Sequence, residues 1–275
     1  TGVSTYTSTT AIGRGATLAL KGSGSIDNTI RILFDPRGPT VGTFDISQTN
    51  SGASVGGLEG DIGIVELGSK QLTITSGTMG FPFVFGGVIK DGGIGGGTGG
   101  SLVIAENAAQ VLTGENTYTG ATTVGKNAYL ALDGNGTIAT SSSLNLTGDG
   151  AIFDIVCSCL TSVTVQNLSG SATSFIFLGA NRLTVVSSVN TTFAGTIDPY
   201  SDVGGLTKEG SATLTLTGTN GYTGATTISA GTLALSGLGS IAFSSVVDVA
   251  AGATFDISAG TSFNNVQNLA GSGTV

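Results

Sequence analysis

"LTLTGTNGYTGATTISAGTLALSG", residues Leu214–Gly237, alternates apolar and polar side chains, breaks at glycine, and starts again. Successive side chains of a β-strand point to opposite faces, so this alternation predicts a half-buried strand. Leu214 and Leu216 then face one way, and Thr213, Thr215 and Thr217 the other. Gly218, Asn220 and Gly221 supply turn chemistry. The pattern resumes at Thr226, Ile228, Leu233 and Leu235.

The stretch is repeated. "YTSTTAIGRGATLALKGSGSI" from Tyr6 matches "YTGATTVGKNAYLALDGNGTI" from Tyr118 and "YTGATTISAGTLALSGLGSI" from Tyr222. Further blocks follow in constant order. "TFDIS" from Thr43 returns as "IFDIV" from Ile152 and "TFDIS" from Thr254. "ELGSKQLTITSG" from Glu66 returns as "FLGANRLTVVSS" from Phe177, and "GGVIKDGG" from Gly86 as "GGLTKEGS" from Gly204. We therefore read one continuous segment, 1–275, built of tandem units at about 6–117, 118–221 and a partial 222–275. Pairing Lys90 with Lys208 gives the first unit an insertion around residues 91–110.

Composition narrows the class. The chain has 275 residues, 47 of them Gly, with 39% apolar and only 9% charged residues. A disordered chain would carry few apolar residues and many charges. Low charge with abundant Gly, Thr, Ser and Val favours an all-β repeat structure. The net charge of -8 argues against a nucleic-acid partner, which needs a basic stripe, and against docking on an anionic membrane. No run approaches the roughly 20 apolar residues of a membrane helix, so no membrane insertion is expected. The start, "TGVSTYTSTT", lacks Met and a basic n-region and reads as a processed or excised chain. Cys157 and Cys159 share parity with Phe153 and Ile155, which predicts small core fillers; at i and i+2 on a strand they sit too far apart for an easy bridge.

Two architectures suit strands this short: a sandwich per unit, or a solenoid with several coils per unit. Smaller echoes inside the unit, such as "ATLTLTG", "GTLALSG" and "SSLNLTG", favour the solenoid. The expected fold is an all-β parallel β-helix of about 11–14 coils, each stacking an inward apolar row on its neighbour.

"GGLTKEGSATLTLTGTNGYTGATTISAGTLALSG" resembles the autotransporter-associated β-strand repeat, or passenger-associated transport repeat. Leu206, Lys208, Gly210, Leu214, Leu216, Gly218, Asn220, Tyr222, Gly224, Thr226, Ile228, Gly231 and Leu233 carry the resemblance, and Ala212 departs from a glycine of the pattern. In the first copy Leu112, Gly114, Asn116, Tyr118, Gly120, Thr122 and Val124 fit, with Ala128 standing at the place of Gly231. The resemblance implies a right-handed β-helix passenger of a type V secreted protein, at the surface of a Gram-negative bacterium or outside it. It implies that such repeats help the passenger fold during export.

No catalytic, cofactor-binding or metal-ligating set is expected. The chain has no His, which rules out a Ser-His-Asp triad. Asp45, Asp154 and Asp256 recur once per unit beside Phe and Ile, so each is read as facing outward or closing a corner. "DGGIGGGTGG" from Asp91 lacks the Lys-Ser/Thr ending of a phosphate loop and reads as a flexible loop. Specific contacts are expected in loops: Asp35 and Arg37 in "DPRGP", Asp91, and Asp198, Tyr200 and Asp202 in "IDPYSD". The leading reading is a non-enzymatic surface passenger, a rigid stalk or adhesin scaffold meeting a host or neighbouring-cell ligand, protein or glycan. Its rivals are a filament subunit that self-associates end to end and a polysaccharide-active enzyme.

Overall fold

The computed structural model describes residues 2–35, 40–261 and 266–275. Among them are 29 strands and no helix. The fold is a parallel β-solenoid of about 12 turns, which overturns the sandwich alternative. The chain forms two compact units, Thr1–Ser142 and Ser143–Val275.

In the first unit, Ala53–Val55, Gln71–Ile74, Ser101–Ile104 and Thr122–Val124 pair in turn, all parallel. The register places Val55, Ile74, Ile104 and Val124 in one column, and all four are fully buried. In the second unit, Ser162–Gln166, Arg182–Val186, Gly205–Glu209, Thr226–Ile228, Val247–Val249 and Leu269–Gly271 do the same. Partners along one column there (Val163, Leu183, Leu206, Thr226, Val247, Leu269) lie 20 to 23 residues apart, which is the length of a coil. Alternation makes each coil present inward residues at every second position, and stacking covers them with the same positions of the next coil. Leu214 and Leu216 are fully buried, as their alternation predicts.

The aspartates of the repeated blocks each accept the N–H two residues on: Asp154 at the end of strand Ile152–Asp154, Asp45 and Asp256 beside register shifts within strands Thr43–Thr49 and Thr254–Gly260. An oxygen of Asp45 accepts the N–H of Ser47, that of Asp154 the N–H of Val156, and that of Asp256 the N–H of Ser258. Asp45 does so in the interior, with 1% of its surface exposed, because the Gly-rich segment folds over it. Its other oxygen accepts the N–H of Ile94 at 2.7 Å, and the Ser47 hydroxyl accepts the N–H of Gly95 at 2.7 Å. That segment is pinned rather than loose, which corrects the flexible-loop expectation. Its glycines let backbone N–H groups approach a buried carboxylate where side chains would intrude.

The core-filler expectation for the cysteines fails: Cys157 and Cys159 are both exposed. Strand Ile152–Asp154 ends before them, and the Asp154 corner turns the chain outward. Parity predicts facing only while the strand lasts.

The register also corrects the alignment of the two units. Leu102 pairs with Thr122 and Ile104 with Val124, as Leu206 pairs with Thr226 and Lys208 with Ile228. The counterpart of Lys208 is therefore Ile104, not Lys90, and the segment from Ser101 to Tyr118 aligns without a gap on Gly205 to Tyr222. Residues 101–110 are a regular part of a coil. The extra length lies in the glycine segment before Ser101.

Burying one Leu side chain stabilises by about 1.5–3 kcal/mol, and a residual cavity raises the loss on truncation. Leu214→Ala should cost about 2–5 kcal/mol in urea unfolding. Thr215→Ala, on the solvent side of the same strand, should stay within about 0.5 kcal/mol.

Candidate functional site

The repeat motif places polar groups in the interior and satisfies each of them there. Asn220 is 1% exposed. Its Oδ1 accepts the N–H of Ile197 at 2.9 Å, and its Nδ2 donates to the carbonyls of Gly218 at 3.1 Å and Ser240 at 3.0 Å. One amide thus joins three successive coils. In the first unit Asn116 repeats the arrangement with Ile89, Gly114 and Thr137.

Tyr222 is fully buried and bonds Thr226 at 2.8 Å; Thr226 bonds Ser244 at 2.9 Å. Ser244 donates to the carbonyl of Gly224 at 2.9 Å, so the chain of protons runs from tyrosine to threonine to serine to backbone. Tyr118, Thr122, Ser141 and Gly120 form the same relay. Tyr6, Thr10 and Thr29 form a more exposed version. The terminal hydroxyl was not anticipated from the sequence. Its signal was present: Thr29, Ser141 and Ser244 follow their tyrosines by 23, 23 and 22 residues.

Two motif glycines are dictated by close approach. A Cβ at Gly224 would collide with the carbonyl oxygen of Gly204, and one at Gly210, where φ is +76°, with that of Ser187. At Gly231, φ is 66°; the first unit meets that need with Asn127, φ 52°, and not with Ala128.

Lys208 occupies an interior column between Val185 and Ile228. It has no exposed surface. Its ammonium donates to the carbonyls of Glu209 at 2.7 Å, Gly210 at 2.9 Å and Ala230 at 3.1 Å. Burial pushes its pKa down to about 8, against the opposing pull of the Glu209 carboxylate. Burial likewise raises Tyr118 and Tyr222 well above the ordinary phenol value, with the bonds from Thr122 and Thr226 acting the other way. Arg182, unremarked in the sequence, is a second internal clamp. Its Nη1 donates to Leu206 O at 3.1 Å, Thr207 Oγ1 at 3.2 Å and Ala225 O at 3.2 Å, and so joins neighbouring coils.

The loop residues separate into different situations. Asp35 is half-buried after strand Ile32–Phe34, and Arg37 lies outside the described residues. The Asp91 carboxylate is engaged internally, accepting from Gly100 N at 2.9 Å, Gly99 N at 3.1 Å and Thr119 Oγ1 at 2.6 Å. Asp198, Tyr200 and Asp202 share one outward turn, where Tyr200 is 69% exposed.

The repeat motif of this solenoid is consumed in joining its coils. Residues 108–132 and 206–235 match the passenger-associated-transport-repeat family. Over 243 residues the chain is 30% identical to the "Adhesin BmaC autotransporter" of Brucella suis biovar 1 (strain 1330). The alignment covers 84% of this chain and 6% of that protein, so the chain spans a small fraction of its relative's length. No solved structure matches the chain. The chain is an autotransporter passenger segment with passenger-associated transport repeats. Its place is the surface or exterior of a Gram-negative cell.

Asn220→Ala would strand the buried N–H of Ile197, at a cost of about 1–3 kcal/mol. Tyr222→Phe keeps the ring and loses one hydroxyl, and should cost about 1 kcal/mol in the same unfolding assay. Lys208 adds a pH signature. From about pH 8 up to its ordinary 10.5, the unfolded chain holds a proton that folded Lys208 has lost, so stability rises with pH. Above pH 10.0 unfolded tyrosines ionise while the two buried ones do not, so stability then falls. Urea midpoints should therefore peak near pH 10. Lys208→Ile, the residue the first unit carries, should abolish the rise and leave the fall.

Proposed function

We propose that this passenger segment is non-enzymatic: a rigid β-helical stalk or adhesin scaffold that holds contact surfaces away from the cell. The supporting observation is where the motif spends its chemistry. Leu206, Lys208, Leu214, Leu216, Asn220, Tyr222, Thr226, Ile228 and Leu233 are all buried, and their polar atoms bond to neighbouring coils. The recurring aspartates are each committed to the backbone two residues on, where a hydrolase would need carboxylates converging on one groove. The name of the Brucella relative, an adhesin, agrees with a role in attachment. The partner is a protein or glycan on a host or neighbouring cell, or another copy of the chain. Contact falls to the turns and outward faces, which differ between units.

Displayed on a bacterium between a signal sequence and a translocator barrel, the chain should expose an N-terminal epitope tag and raise attachment to epithelial or sister cells. Incubated with acidic and neutral polysaccharides, the purified chain should release no reducing ends. Polysaccharide cleavage that Asp154→Asn abolishes would replace this reading with an enzymatic one.

A further inference from the structure

Strand Phe175–Phe177 points Ile176 into the core, where it is fully buried, and sends two aromatic rings outward. Phe175 and Phe177 stack with centroids 5.9 Å apart and planes at 19°. Tyr200, from the turn one coil on, meets Phe177 edge-on at 5.7 Å and 67°. Nothing in the solenoid's packing requires this cluster, since Phe175 is 38% and Tyr200 69% exposed. Large apolar surface left in water without an interior role marks an interaction site.

The cluster is also held in place. Tyr200 sits at φ 63°, a left-handed conformation unfavourable for a bulky residue, and Asp198 Oδ1 accepts its N–H at 2.6 Å. The cross-coil register sets Asp154 on one side of Phe177 and Asp198 on the other. Asp202 follows on the turn of Tyr200. Neither Asp198 nor Asp202 is ion-paired among the described residues, whose ion pairs engage Glu59, Glu66 and Glu106. Electron-rich ring faces beside carboxylates attract cations and repel anions. A poorly hydrated cation gains most, because a compact primary ammonium must give up strongly held water.

We infer that the corner formed by Phe175, Phe177 and Tyr200 with Asp154, Asp198 and Asp202 binds a quaternary ammonium group of the choline type. Rings take the methyl groups and the carboxylates neutralise the charge. This site goes beyond the scaffold role, and its test needs no cell attachment, so either reading can fail alone.

Titration of the purified chain with choline chloride, followed by amide chemical shifts, should move the signals of residues 175–177 and 198–203 with a millimolar Kd. Binding should weaken several-fold in high salt. The neutral isostere 3,3-dimethyl-1-butanol should bind at least about tenfold more weakly. Tyr200→Gly suits the positive φ, so the fold is kept while the ring is lost, and choline affinity should fall about tenfold. Tyr200→Phe should hold it within about threefold. Tyr200-dependent co-sedimentation with phosphatidylcholine vesicles would assign the group to a lipid surface; shifts with free choline alone would assign it to a soluble or polymer-borne base. An absent choline response, equal binding of the isostere or of a methyl glycoside, or indifference to Tyr200→Gly would overturn the assignment.

Discussion

A side chain that points inward on one coil must stack on the side chain at the same position of the next, and the rest of each unit follows from that constraint. An apolar residue meets it by contact, as Val55, Ile74, Ile104 and Val124 do. A polar residue meets it at least cost when its donors and acceptors find partners within reach of the adjoining coils, since an unpaired buried group, such as the Ser187 hydroxyl, costs free energy. The Asn220 amide does this across three coils, and the Tyr222 relay ends on a backbone carbonyl. Such closed networks do what a uniform leucine interior cannot. They specify which coil lies on which, because a shift of register would leave several buried groups unpaired at once.

Lys208 shows how far the interior tolerates exceptions. Its column is otherwise Val165, Val185, Ile228 and Val249, and the first unit carries Ile104 at the matching place. Three carbonyls gathered around the ammonium offset much of the desolvation, yet its depressed pKa records that the compensation is incomplete. Motifs of this kind lock adjacent coils to one another. The two repeats place their networks at corresponding positions in both units. The outward faces carry no such obligation and are free to vary. The aromatic corner at Phe177 and Tyr200 has no counterpart at Glu66, which the repeated block sets opposite Phe177 and which forms an ion pair with Lys90 instead.

The alternation of Leu214 to Gly237, the tyrosine-centred repeat and the spacing of short strands made the solenoid legible in the linear chain. All three are consequences of period-two geometry and coil length, and both are local quantities. The shared facing of Leu214 and Leu216 was equally readable, because a residue's parity within a strand is set by its immediate neighbours; the burial of Lys208, Asn220 and Tyr222 was not. Parity failed at Cys157 and Cys159, where the strand had already ended at a corner made by Asp154. It was also silent on Asp45, whose burial depends on a glycine segment some 50 residues later folding across it.

What lies across the coils was decided by tertiary structure. Which residue answers to Lys208, Lys90 or Ile104, could be settled only by register, because two similar short blocks compete for one alignment. The hydroxyl that completes each tyrosine relay bonds a threonine 18 or 19 positions away, and Tyr200 meets Phe177 from the next coil. The sequence by itself determined that the chain would coil, that Leu214 and Leu216 would share a face, and the passenger family it resembles. Tertiary structure decided how those coils are keyed together and which outward side chains converge, since stacking distance is fixed by the length of every coil between and not by any one stretch of the chain.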